Sequence, residues 1–87
     1  MTEHHQVDIL VSPERVQAVE GSLKAGGYHW SSHLVWVDGW ARRKFEVHSR
    51  DGVGPLTRDD TAAVVRSVGP PGHGVMFFTH ERDASYG

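Results

Sequence analysis

The chain is 87 residues long, carries a formal net charge of -2, and contains 38% hydrophobic residues, 23% charged residues and no cysteine. That length suits one domain near the lower limit at which a single core suffices, and the composition excludes a disordered chain. The lack of cysteine excludes disulfides, thiolate nucleophiles and cysteine metal sites, and the near-neutral charge means that any basic patch must be local.

The opening MTEHHQVD has neither a basic n-region nor an apolar h-region, so no secretory signal is expected. Apolar runs fall far short of the roughly 20 residues of a membrane span. The expectation is one cytoplasmic, soluble domain over 1–87, with 1–6 and 81–87 as flexible tails. His4 and His5 fall in the first tail and read as inert. Seven histidines make the charge balance sensitive to mild acid.

Val7, Ile9 and Val11 alternate with Asp8 and Leu10, which predicts a strand over 7–11. Ser12 is placed to cap a following helix, with Pro13 at its first position and Glu14 beside its positive end. Val16, Val19 and Leu23 recur at helical spacing, and Gly26-Gly27 stops the helix. Gly21, inside it, reads as a close approach to a sheet. Residues 29–37 and 40–49 read as two strands joined by Asp38-Gly39, a strong signal for a type I′ hairpin turn. RDGVGPL is then a loop. Thr57 and Asp60 form a capping-box variant ahead of a helix with Val64, Val65 and Val68 on one stripe. Gly69-Pro70-Pro71-Gly72 stops that helix, and GVMFFTH over 74–80 is a last strand.

The order β-α-β-β-α-β predicts an α+β fold. The expected form is a ferredoxin-like βαββαβ sandwich, with a four-stranded antiparallel sheet in the order 4-1-3-2 and two helices on one face.

A two-residue turn sets the hairpin register by counting. Val37 then faces Trp40, His33 faces Lys44, Trp30 faces Val47 and His29 faces His48. One face holds Trp30, Leu34, Trp36, Ala41, Phe45 and Val47, the expected core side, with Arg43 at its rim. The other, free of helices, holds His29, His33, Val35, Val37, Trp40, Arg42, Lys44, Glu46 and His48, joined by Asp8 and Leu10. The last strand adds either Met76, Phe78 and His80 or Val75, Phe77 and Thr79. So many apolar groups on an open face predict a contact surface; the alternative is a cover formed by the tail or the 50–56 loop. The candidate contact residues are Leu10, Val35, Val37, Trp40, Arg42 and Lys44. They suit a protein partner or self-association, since interface centres favour Trp and Arg. The expected function is a small non-enzymatic binding domain, an accessory or inhibitor-type factor of the phage or bacterial kind. No cofactor is expected.

Three other chemistries bear on the same residues. Arg42, Lys44 and Arg50 beside Trp40 can grip RNA, with cations for phosphate and an aromatic for base stacking. VDILV followed by ARRKFEVHSRDG resembles the two signature strands of RNA-recognition domains, which implies nucleic-acid binding through the open face. LKAGG followed by SSH resembles the HicA ribonuclease toxins, which implies a catalytic role for His33. His29 opposite His48 is a candidate pair of metal ligands with Glu46 diagonal. Solvent-exposed histidines at a hairpin base are the expected reading, so no metal is assigned. No nucleophile elbow, P-loop or paired-carboxylate signature appears, and no catalytic residue is assigned.

Overall fold

The computed structural model of the protein describes residues 3–69, 72 and 74–83. It is an α+β fold with an antiparallel sheet of five strands and two helices. Strand β1 spans Glu3–Val11. A 3-10 turn over Pro13–Arg15 leads into α1, Val16–Ala25. The hairpin is β2, Tyr28–Val37, and β3, Trp40–Arg50. A two-residue strand β4, Gly54–Pro55, precedes α2, Arg58–Val68, and β5 closes the chain at Val75–Asp83. The sheet runs β2-β3-β1-β5, with β4 paired to β3 off this path.

Local chemistry explains the element ends. Asp38 and Gly39 have φ of 51° and 81°, the left-handed pair that a two-residue turn requires. Gly27, at φ 77°, lets the chain leave α1 and enter β2. Thr57 and Asp60 exchange side-chain and backbone hydrogen bonds in a complete capping box on α2. Ser12 makes no side-chain cap; its carbonyl instead accepts from Arg15 N at 2.9 Å, closing the 3-10 turn that takes the place of a capped helix start.

Val7, Ile9 and Val11 of β1 form one buried cluster with Phe45 and Val47 of β3, Val75 of β5, Val19 and Leu23 of α1, and Val64 of α2. Both helices therefore lie against the same sheet face. Trp30 packs on this cluster edge-to-face with Phe45, centroids 6.3 Å apart. The core side of β5 carries Val75 and Phe77, which leaves Met76, Phe78 and His80 on the open face.

Several expectations are corrected. The sheet has five strands, because the loop after β3 turns back at Gly54–Pro55 to pair with Ser49 and Arg50. Strands β1 and β5 run on into the expected tails, pairing as far as Glu3 with Asp83. Backbone pairing there needs no apolar alternation, so the sequence pattern does not signal it. Leu34 and Trp36 have the expected side but not the expected burial, being 59% and 69% exposed. At about 3.3 Å per residue, ten-residue β2 is about 33 Å long, whereas ten-residue α1 rises only about 15 Å. The helices run out before the hairpin does. Gly21 does not approach the sheet; it is exposed, with open space where a Cβ would stand. Pro70 and Pro71 of the expected helix stop, and tail residues 1–2 and 84–87, lie outside the described residues.

Candidate functional site

The open face of the sheet is built by alternation on four strands. Strand β1 contributes Gln6, Asp8 and Leu10, opposite Glu46 and Lys44 of β3 on one side and His80, Phe78 and Met76 of β5 on the other. From β2, Ser31, His33, Val35 and Val37 stand opposite Glu46, Lys44, Arg42 and Trp40. The register from Trp30 to Val37 is the one that a two-residue turn dictates. The face divides into a polar middle and an apolar end near the turn.

Asp8 is the centre of the polar middle and is only 6% exposed. Gln6 Nε2 donates to its carboxylate at 2.7 Å and His80 Nε2 at 2.8 Å. Lys44 Nζ lies 3.6 Å from Asp8 and 3.3 Å from Glu46, and His33 Nε2 lies 3.6 Å from Glu46. Burial alone pushes the Asp8 carboxyl up. The hydrogen bond from Gln6, then the bond and charge of His80 and the charge of Lys44, outweigh it and hold the group below the usual carboxylate range. The hydrogen bond to Glu46 and the charge of Asp8 push the Lys44 ammonium up. Lys44 is thus a member of a chain of polar contacts, from His33 through Glu46 and Asp8 to His80, that crosses β2, β3, β1 and β5.

At the apolar end, Leu10, Val37, Trp40, Arg42, Met76 and Phe77 line a groove of ≈ 470 Å³. Trp40 is 67% exposed and Met76, on the same groove, is exposed too; Phe78, also exposed, stands opposite Asp8. Arg42 Nη1 donates to the carbonyl of Ala41 at 3.1 Å. Among the described residues no carboxylate forms an ion pair with Arg42, although Asp38 lines the same groove.

Of the sequence-derived contact residues, the structure brings Leu10, Val37, Trp40 and Arg42 together around one groove. Val35 is half-buried beside Arg42, and Lys44 belongs to the polar middle. The residues that sequence reasoning did not single out are Gln6, as a donor to Asp8, and the β5 set of Met76, Phe78 and His80. Alternation on β5 leaves two equally apolar sets; only the pairing of Val11 with Val75 decides between them.

The expected His29–His48 pair is corrected. A β-bulge between His29 and Trp30 shifts the register, so that His29 stands opposite Ser49. His29 Nε2 instead contacts Asp51 at 2.5 Å, and His48 Nδ1 lies 3.2 Å from Ser49 Oγ. Asp51 N donates to Gly27 O at 2.9 Å and Arg50 Nε to Gly26 O at 3.0 Å, which draws the end of β3 toward the α1–β2 turn and takes up the extra residue. Among the described residues no group of three or more histidines and carboxylates can hold a metal ion. No helix among them is long and apolar enough to cross a membrane.

No protein-family model matches the chain, and no curated protein matches its sequence.

Proposed function

We propose that this is a small non-enzymatic binding domain that engages a protein partner through the apolar end of its open sheet face and the adjoining hairpin. We read the architecture as a ferredoxin-like βαββαβ sandwich to which the 3-10 turn and β4 are additions, in a cytoplasmic accessory or inhibitor-type factor. The observation that carries the reading is the groove beside Trp40, where apolar side chains and Asp38 line a cleft with Arg42, a guanidinium that has no ion pair among the described residues. A tryptophan and an arginine at the centre of a patch, with a polar network behind it, is the composition of an interface centre and its rim. Leu10, Val37 and Met76 offer little to a phosphate chain, and Lys44 is engaged by Asp8 and Glu46. Protein is therefore favoured over RNA as the occupant.

The test is affinity purification from source cells with the wild-type protein and a Trp40→Ala/Arg42→Ala variant, each eluted across a salt series. The reading expects one or more proteins retained by the wild type at raised salt and lost with the variant. Retention of nucleic acid that collapses steeply with salt supports the RNA reading instead. Ribonuclease activity abolished by His33→Ala supports the toxin-like alternative.

A further inference from the structure

The outer edge of β2 and the flank of α1 beside it form a second surface, separate from the open face. β2 is the terminal strand of the sheet path, and among the described residues nothing pairs with its outer edge. Its ten residues, YHWSSHLVWV, include no proline, no glycine and no Asp, Glu, Lys or Arg. From Trp30 to Val37, beyond the bulge at His29, the edge carries neither the proline nor the fixed charge that usually blunts one.

Hairpin geometry says which groups point outward. In a two-residue hairpin the residues flanking the turn form a hydrogen-bonded pair, here Val37 with Trp40. Hydrogen bonding then alternates along the strand, so Val37, Val35, His33 and Ser31 bond inward to β3. The N–H and C=O of Trp36, Leu34, Ser32 and Trp30 point outward. These four residues also share the helix-side face, where Trp36 and Leu34 are exposed and Trp30 lies against the core.

We infer that the protein forms a two-fold dimer in which β2 pairs antiparallel with β2 of a second copy, centred on His33, and Trp36 of each copy seats beside Trp30 and Gly21 of the other. Centring on His33 places Trp36 opposite Trp30 and Leu34 opposite Ser32, twice over. It uses all four outward residues of each strand and forms about eight main-chain hydrogen bonds. A neighbouring register leaves a tryptophan unopposed. On α1, the residues Gln17, Glu20, Gly21 and Lys24 line a depression together with Trp30. Gly21 has open space where a side chain would stand, so a glycine there leaves this shallow depression unfilled. An exposed indole and a shallow depression next to its expected partner residue lie on one molecule at positions that a two-fold axis brings together. That is the self-complementarity an isologous interface requires. The occupant is a second copy because the match is between this chain's own exposed indole, its own unpaired strand edge and its own shallow depression. The open faces then join into one continuous sheet, with both Trp40 grooves still free.

Sedimentation equilibrium over a concentration series into the millimolar range tests the inference on the full chain. Ser32→Pro removes one outward N–H while leaving the β2–β3 ladder its donors, and Gly21→Gln fills the depression without a clash. The wild type is expected to be a dimer. Both variants are expected to be monomers, with circular dichroism and a melting temperature, for Gly21→Gln, no lower than the wild type at the same low concentration. Trp40→Ala is expected to remain a dimer. A wild type that stays monomeric throughout overturns the inference. So does a dimer that survives both variants, or one lost with Trp40→Ala and kept with Ser32→Pro. Because Trp40 lies outside this interface, the outcome is independent of the partner proposed for the open face.

Discussion

Trp36 and Trp40 stand on opposite faces of one hairpin end, 69% and 67% exposed, with only the Asp38-Gly39 turn and Val37 between them in sequence. Two exposed indoles so close in the chain bury little apolar surface in the folded monomer.

The two indoles are therefore expected to matter little for monomer stability. In urea denaturation at low protein concentration, Trp36→Ala and Trp40→Ala each change the unfolding free energy by less than about 1 kcal/mol. Phe45→Ala, at the centre of the core, costs about 3–5 kcal/mol. Losses at the two exposed tryptophans comparable to that at Phe45 contradict the described exposure.

Asp8 gives stability a defined acid dependence. Its folded-state pKa lies below the ordinary 3.8, so its contribution is fully present above that value and is lost as pH falls through the folded-state pKa. Asp8→Asn costs about 1–3 kcal/mol at pH 7, because Lys44 and the donors from Gln6 and His80 lose a charged acceptor. Below about pH 4 the wild type loses stability more steeply than Asp8→Asn, and the two curves converge. Chemical denaturation from pH 7 down to pH 2.5 measures both slopes.

The capping box on α2 is expected to be independent of the hairpin. Thr57→Ala removes the acceptor for Asp60 N and costs about 1 kcal/mol, read as a lower melting temperature with the hairpin variants' effects simply added.

At the turn, Gly39→Ala forces a Cβ into the left-handed backbone at φ 81° and costs about 1–2 kcal/mol. Asp38→Asn keeps a residue suited to φ 51° and leaves stability within about 0.5 kcal/mol of the wild type. Thermal melts of the two variants distinguish backbone strain from loss of a side-chain contact.

Much of the hairpin was legible in the sequence, for a local reason. Asp-Gly specifies the turn, the turn specifies the register, and the pairs from Val37–Trp40 out to Trp30–Val47 follow by counting. Period-two alternation also put Trp40 and Arg42 on one side and Phe45 and Val47 on the other. What it could not supply was coverage: alternation says which way Trp36 points, while helix length decides whether anything lies above it. The bulge at His29 escaped for a similar reason. It depends on a main-chain bond from Asp51 and a side-chain bond from Arg50 to the Gly26-Gly27 turn, which is distant in sequence. The polar network around Asp8 needed the neighbours of β1, and the choice between the two faces of β5 needed its pairing with Val11.

The central claim, that the groove beside Trp40 contacts a protein, is tested most directly by photo-crosslinking in living source cells. Trp40 is replaced by benzoyl-phenylalanine, with the same replacement at exposed Ala62 of α2 as the control. The account predicts a discrete protein adduct from position 40 that is missing at position 62 and is lost when Arg42→Ala is added. Adducts to nucleic acid, or the same pattern from both positions, contradict it.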